Sequence, residues 1–321
     1  MRILFLGSGP FGIPTLQRLH SLGEELIVTT VPDAARGRRR TLQPSPIKEQ
    51  AVALGMEVLE SQRLRGEQGQ QILQQASADL VITCDIRLIL GSRFLQGPEL
   101  GCFNLHGSLL PRWRGAAPVV RALLAGDQEL GVTLYRMVPA LDAGPVVAAS
   151  SWTPPATVTT EQAEQHLSQL AADLLEQSLE LLKSGDAPQI PQQEELVTLA
   201  PRVEKSEGWI HWQGSSSFIE RQVRALQPWP RTRTRVTRQS NGTDRPEELI
   251  LHQVSLVNHD SDAAAGTVID VSSDRLIVTC GEGALSIDRV QRSGKKPMTM
   301  AELLRGMPLV AGDRFESGEV A

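Results

Sequence analysis

The stretch FNLHGSLLPRWRGAAP, residues 103–118, sets an amide and an imidazole two residues apart at the end of an apolar run, and a proline-containing turn follows. Side chains two apart on a strand face the same side, so Asn104 and His106 can converge on one ligand. An amide N–H can donate to a carbonyl oxygen as negative charge builds on it. An imidazole near neutral pH can donate beside it or move a proton. Together they suit acyl transfer. Downstream, ALDAGPVV places Asp142 ahead of a Gly-Pro step, in a loop that can line the same crevice. A carboxylate there would favour the charged imidazole and could receive a proton through water. The same residue types also serve plainer ends: an Asn-X-His is also a turn device or a satisfied core pair, and an Asp before glycine a turn residue. Ser108 lacks a GxSxG elbow, so a serine nucleophile is the weaker route.

Such a cluster needs a strand end to hold it. The first half of the chain alternates apolar strands with helical stretches: RILFLG, a helix through IPTLQRLHSL, ELIVTTV, KEQAVALG, the strand ADLVITC, and CFNLHG. This alternation predicts an α/β domain with a doubly wound, mostly parallel sheet. Ligands in that class sit beyond the carboxyl ends of the strands, where Asn104 and His106 fall. The GSGPFG turn lacks the full GxGxxG spacing, so a dinucleotide fingerprint is rejected. Leu167, Leu170, Leu174, Leu175, Leu179 and Leu182 recur at helical spacing. They predict one amphipathic helix from about Thr159 to Lys183, with Thr160 as its cap and Gly185 after its end. The Pro- and Gln-rich stretch that follows reads as an extended linker. Beyond it WIHW, ELILHQVSLV, GTVIDV, DRLIVTC and ALSIDRVQ read as short strands of a small barrel or sandwich. The expected division is a catalytic domain over 1–186, a linker over 187–206 and a β domain over 207–321.

The 321 residues give room for two cores. The apolar run at the start is short and broken by glycines, and no later run approaches the roughly 18 residues of a membrane helix. A soluble, cytoplasmic protein is expected. Cys84, Cys102 and Cys280 are widely spaced and odd in number, against a disulfide framework and against a CxxC zinc site; no metal is expected. The net charge of −5 does not mark a nucleic-acid binder, but charge averages over faces. ARGRRR (35–40) and RTRTRVTR (231–238) run against the mean. Each is either a solvated face or a phosphate-binding patch.

The long run FNLHGSLLPRWRGAAPVVRALLAGDQELGVTLYRM, followed by LDAGPVV, resembles the signature of the folate-dependent formyltransferases. That resemblance implies the formyltransferase fold, with Asn104, His106 and Asp142 as the catalytic trio. It also implies that Ser108, Leu109, Leu110 and Pro111 belong to the folate-binding loop and that Leu88, Ile89 and Leu90 line the pterin pocket. Enzymes that formylate glycinamide ribonucleotide or amino sugars share the signature, so it leaves the acceptor open. VPDAARGRRRTLQPSPIKEQA is similar to the basic loop with which the methionyl-tRNA formyltransferase family reaches the acceptor end of tRNA, Arg38 taking the place of its most important arginine. APRVEKSEGWIHW, RALQPWP and CGEGALSIDRVQRSGKKPM resemble that family's C-terminal domain, an OB-like barrel that holds tRNA. The implied reaction is transfer of formyl from 10-formyltetrahydrofolate to the α-amino group of methionyl-initiator tRNA; formylation of a small amine such as an amino sugar is the alternative. Arg36, Arg38, Arg39, Arg40, Lys48, Arg202, Lys295 and Lys296 are the candidate tRNA contacts, on a chain expected to act as a monomer. Trp113 and Trp229 could stack on bases, with packing the favoured reading. The loop 34–46 is expected to be mobile without tRNA.

Some positions depart from the family's pattern. Asp85, Ile86 and Arg87 stand where the family has an Ala-Tyr-Gly-like step, Ser8, Gly9 and Pro10 replace a Thr-Pro-Asp turn, and Arg39 stands where glycine is usual. An arginine in place of a small residue predicts a changed folate affinity or a changed loop path.

Overall fold

The strands Arg2–Gly7, Leu80–Cys84 and Gly101–His106 are buried along nearly their whole length, which is where continuous apolar runs belong in a covered parallel sheet. They form the centre of a seven-stranded sheet in the computed structural model, which describes residues 1–36, 41–238, 246–259 and 261–318. The order is Val146–Trp152, Leu130–Arg136, Gly101–His106, Leu80–Cys84, Arg2–Gly7, Glu25–Thr30, Glu57–Glu60. All pairings are parallel except the two made by Leu130–Arg136, which are antiparallel. The predicted doubly wound, mostly parallel sheet is therefore present. Strand order reverses around Arg2–Gly7: Glu25–Thr30 and Glu57–Glu60 build outward on one side, and Leu80–Cys84 and the later strands add on the other. In sheets of this class ligands bind beyond the carboxyl ends of the strands near such a switch point.

Two compact units divide the chain. The first comprises Met1–Val119, Glu129–Pro154 and Ala163–Pro201, and the second Val120–Gln128, Pro155–Gln162 and Arg202–Ala321. The break after Pro201 falls within the expected linker over 187–206, and the linker residues up to Pro201 are strapped to the first unit. Val146 and Ile190 exchange backbone hydrogen bonds of 2.8 and 2.9 Å, and Leu199–Ala200 pairs in parallel with Arg114–Gly115. Aperiodic composition signals no regular element of its own; it does not signal that the backbone lacks partners. The long helix runs Thr160–Ser184. Its N-terminal cap is Thr159 and not Thr160. The Thr159 hydroxyl accepts from the Gln162 N–H at 3.4 Å and Gln162 Oε1 accepts from the Thr159 N–H at 3.0 Å, a reciprocal box. The Thr160 hydroxyl donates to the Ala225 carbonyl instead.

In the second unit an antiparallel sheet runs Val268–Val271, Leu276–Thr279, Ala284–Arg292, Glu247–Val257, Thr232–Thr237, Arg314–Glu316, with Met298–Thr299 beside Ala284–Arg292. Its ends meet where Thr267 bridges to Arg314 and the Val268 N–H donates to the Asp313 carbonyl at 2.9 Å. The result is a nearly closed, OB-like barrel. WIHW is not one of its strands: Trp209 makes a single bridge to Arg233, while Ile210 and Trp212 plug the core. Trp212 Nε1 donates to Thr234 Oγ1 at 3.0 Å. The arginine-rich stretch supplies a strand in its place, with Thr232, Thr234 and Val236 buried and Arg233 and Arg235 on the other face.

Candidate active site

Asn104 and His106 lie at the carboxyl end of Gly101–His106, on one face and nearly buried. Strand register decides their neighbours. Thr83 stands beside Asn104 on the parallel strand and Tyr135 stands opposite it on the antiparallel one. The Thr83 hydroxyl donates to Asn104 Oδ1 at 2.6 Å, Asn104 Nδ2 donates to the Tyr135 hydroxyl at 3.4 Å, and that hydroxyl donates to Asp142 Oδ1 at 2.7 Å. Asn104 keeps one amide N–H for a ligand. His106 Nε2 lies 2.9 Å from the Trp113 carbonyl, which can only accept, so this nitrogen carries the proton in the neutral ring. The second proton of a charged imidazole must then sit on Nδ1, the atom 3.9 Å from Asp142 Oδ2. Amide, imidazole and carboxylate thus come together as the sequence reading expected.

Asp142 is held from several sides. It has φ 48°, a left-handed backbone that a non-glycine residue adopts at some cost. The Gly115 N–H donates to its Oδ2 at 2.8 Å. Gly115 must be glycine: it has φ 135°, and a Cβ there would lie 2.5 Å from the Ala200 carbonyl oxygen. Gln192 Nε2 donates to the carbonyls of Asp142 at 2.8 Å and Gly144 at 2.7 Å. Gln192 Oε1 in turn accepts from Arg114 Nε at 3.0 Å and Nη2 at 2.9 Å, and Arg114 pairs with Glu194 at 2.8 Å. The guanidinium holds the Glu194 carboxyl below the usual range. Sequence reasoning missed Thr83, Arg114, Tyr135 and Gln192. Strand alignment could have found Thr83 and Tyr135, since both lie level with Asn104; nothing in the local sequence marks Gln192.

The loop after His106 spends its polar groups on itself. Ser108 Oγ donates to the Arg112 carbonyl at 2.7 Å, and Thr133 Oγ1 donates to the Ser108 carbonyl at 2.7 Å while accepting from the Leu110 N–H at 3.0 Å. Leu109 lies over Gly131, where a Cβ would come within 2.4 Å of it. Leu110 and Pro111 remain half-buried. Leu88 and Leu90 pack against the core cluster containing Leu64 and Phe94, while Ile89 is 75% exposed. Arg87 is exposed, so its bulk lies outward. Asp85, at φ 51°, takes the Ser8 and Gly9 N–H groups on its carbonyl at 3.0 and 3.3 Å. A Cβ on Gly9 would lie 1.7 Å from Asp85 Oδ2. Two of the three departures from the family's pattern therefore face each other, glycine in one making room for the carboxyl of the other. Burial pushes that carboxyl up, against the opposing pull of Arg87 and the Phe11 N–H.

The tRNA candidates divide. Arg36 ends one strand of a two-stranded ribbon, Ala34–Arg36 with Thr41–Gln43, and Arg38, Arg39 and Arg40 lie outside the described residues. Lys48 Nζ is paired with Asp33 at 2.6 Å and with Glu60, so its charge is already answered. Arg202, Lys295 and Lys296 are exposed. In RTRTRVTR, Arg233 pairs with Glu248 at 3.5 Å, and Arg233 and Arg235 lie over the Trp209 ring at 5.8 and 5.5 Å. Trp113, at φ 65°, is part of the framework: its N–H donates to Thr198 Oγ1 at 2.9 Å. Trp229 does not pack as expected, being 57% exposed in the turn after helix Ser216–Ala225. The three cysteines are free and buried. Among the described residues no three His, Cys, Asp or Glu side chains are placed to hold a metal ion, and no helix is long and apolar enough to cross a membrane.

Comparison with known proteins places this architecture. The HypX protein of Aquifex aeolicus, solved in complex with tetrahydrofolic acid, matches with a TM-score of 0.63 and 15% identity over 99% of this chain and 51% of that one, so this chain spans about half its length. WlaRD, a sugar 3N-formyl transferase solved with dTDP and 5-N-formyl-THF, matches with a TM-score of 0.65 and 15% identity over 92% of this chain and 99% of that one. Both share the fold. Residues 1–179 match the formyl transferase family and residues 202–308 its C-terminal domain. The methionyl-tRNA formyltransferase of Moorella thermoacetica is 36% identical over 314 residues, 98% of each chain. With both halves matched and a relative aligned end to end, the chain belongs to the methionyl-tRNA formyltransferase family.

Proposed function

We propose that Asn104, His106 and Asp142 carry out the transfer of a formyl group from 10-formyltetrahydrofolate to the α-amino group of methionine on initiator tRNA. The enzyme is a folate-dependent formyltransferase whose acceptor is methionyl-tRNA. One observation supports the assignment of the site above all: a spare amide N–H, an imidazole Nδ1 and a fixed carboxylate converge at the end of one strand. The folate co-substrate supplies the formyl carbon and a stabilised arylamine as leaving group. The neutral acceptor amine bonds to that carbon, and its oxygen becomes an oxyanion. Asn104 and the Nδ1–H of charged His106 donate to the oxyanion. Asp142 keeps His106 charged and takes, through a water, the proton the amine loses. The bond from carbon to the folate nitrogen then breaks, and that nitrogen recovers a proton as tetrahydrofolate leaves. A deprotonated amine is nucleophile enough that the step calls for no metal.

The loop Ser108–Pro111 and the segment Leu88–Leu90 are assigned to folate, and the exposed cations Arg202, Lys295 and Lys296, with Arg36 and Arg38–Arg40 of the basic loop, to tRNA phosphates. Lys48 is withdrawn from that set. The enzyme is taken to work as a cytoplasmic monomer. The test is transfer of labelled formyl from 10-formyltetrahydrofolate to methionine-charged initiator tRNA, beside charged elongator tRNA, at low and moderate salt. Transfer restricted to the initiator and weakening with salt is expected. A folded sample that formylates neither tRNA would sink the reading.

A further inference from the structure

Tyr135 stands level with the trio and nothing above assigns it a part in the reaction. Its side chain is 2% exposed. A phenol has one proton to give, and here it goes to Asp142 Oδ1 at 2.7 Å, so toward Asn104 Nδ2 the oxygen can only accept. Thr83 completes the logic from the other side. Its hydroxyl donates to Asn104 Oδ1 at 2.6 Å, which turns the Asn104 amide nitrogen toward Tyr135 and the site. Donors therefore run one way across three neighbouring strands and into a loop: Thr83 to Asn104 to Tyr135 to Asp142. The Tyr135 ring also meets the His106 ring edge-on, with centroids 6.5 Å apart and planes at 82°.

We propose that Tyr135 is a positioning residue for formyl transfer, its hydroxyl tying the Asp142 carboxylate to the Asn104 amide while its ring walls the His106 imidazole; this rests on the formyl-transfer reading above. The two oxygens of Asp142 are then fixed by donors from separate elements, Oδ1 by Tyr135 and Oδ2 by the Gly115 N–H. Oδ2 is the atom 3.9 Å from His106 Nδ1, so a carboxylate that could not rotate would keep its charge beside the imidazole while the Nδ1–H donates to the oxyanion. Burial and the neighbouring Asp142 push the phenol well above its ordinary value. Tyr135 thus stays a donor at neutral pH and takes no proton in the reaction itself.

The full-length enzyme carrying Tyr135→Phe tests this, since it removes one oxygen and keeps the ring. Turnover in the labelled-formyl assay is expected to fall about tenfold, the effect of one hydrogen bond to a charged group, with the KM values for folate and tRNA within about twofold of wild type. The acid limb of the pH–rate profile is expected to move to higher pH, because the carboxylate loses a donor that favours its charged form. Tyr135→Phe is also placed in an Asp142→Ala background. A residue that acts through Asp142 should matter there by less than about twofold, whereas a tyrosine that only packs the core would cost the same in both backgrounds. Wild-type turnover and pH limbs in Tyr135→Phe, or equal losses in the two backgrounds, would overturn the role of Tyr135 alone. A wild-type enzyme with no transfer at all would overturn the formyl-transfer reading and the proposal together, so the two failures are told apart.

Discussion

At the scale of single residues, the proposed mechanism asks Asn104 and His106 Nδ1 to donate to one oxygen, with the Asp142 carboxylate on the Nδ1 side of the imidazole. Neither donor has a strong reason to bind a ground-state formamide, because the charge they answer exists only in transit. Asn104→Ala is therefore expected to lower turnover on the order of 100- to 1000-fold while leaving KM nearly unchanged. Steady-state kinetics with circular dichroism as a fold control checks this; near-wild-type turnover would remove Asn104 from the mechanism. Asp85 behaves differently. Burial raises its carboxyl above the ordinary value, so the fold favours the protonated form. That contribution is fully present below the unfolded value and is lost as pH rises through the folded one. Above the unfolded value the buried carboxyl thus weighs against the fold. Asp85→Asn keeps the shape, removes the charge and tolerates the φ of 51°. Its melting temperature is expected to exceed wild type at pH 7, by a margin that shrinks toward pH 4. A margin independent of pH would show that charge is not the cause.

At the scale of elements, the segment Ile190–Ala200 is the instructive one. Sequence reading made it a linker because it has no helical or strand period, yet Gln192 within it holds the Asp142 turn by two carbonyls and is itself clamped by Arg114. Gln192→Ala would leave both carbonyls short of a donor. A loss of about 1–3 kcal/mol in stability is expected, with turnover down about tenfold as Asp142 loses its fixed place. Denaturant melts and kinetics on one preparation would check both, and a drop in stability with full turnover would separate the strap from the chemistry. This contrast explains what could be read in advance. Asn104 and His106 were readable because period two puts them on one face whatever else the chain does, and the alternation of strands and helices carried the sheet. Gln192 was not, because its partners lie 48 and 50 residues away and no period marks it. Thr159 was missed as a cap by one position, although Gln162 three residues on was the sign of a box. In RTRTRVTR the charges drew attention from Thr232, Thr234 and Val236, whose alternation with arginine is a strand pattern in plain view.

At the scale of the whole molecule, an acidic chain of net charge −5 must bind a polyanion through local clusters and not through its mean field. Which cations are available then matters more than how many there are. Lys48 sits between Asp33 and Glu60, and those two carboxylates hold its ammonium above the ordinary lysine value. The three groups together carry a single negative charge, a poor landing place for phosphate. Lys295 and Lys296 are exposed after the strand Ala284–Arg292, in a turn where the Gln291 side-chain amide donates to the Lys295 carbonyl. Lys48→Ala is therefore expected to leave the KM for tRNA within about twofold, and the salt dependence of that KM unchanged. The Lys295→Ala, Lys296→Ala pair should raise the KM several-fold at low salt. It should also flatten the plot of log KM against log salt by about 0.7 for every phosphate no longer neutralised, since binding then releases fewer counterions. Turnover at saturating tRNA should hold in both variants. Were Lys48→Ala to flatten the slope and the lysine pair to leave it alone, the phosphate contacts would belong to the basic loop and its base, and the exposed lysines of the barrel would be ordinary solvated surface.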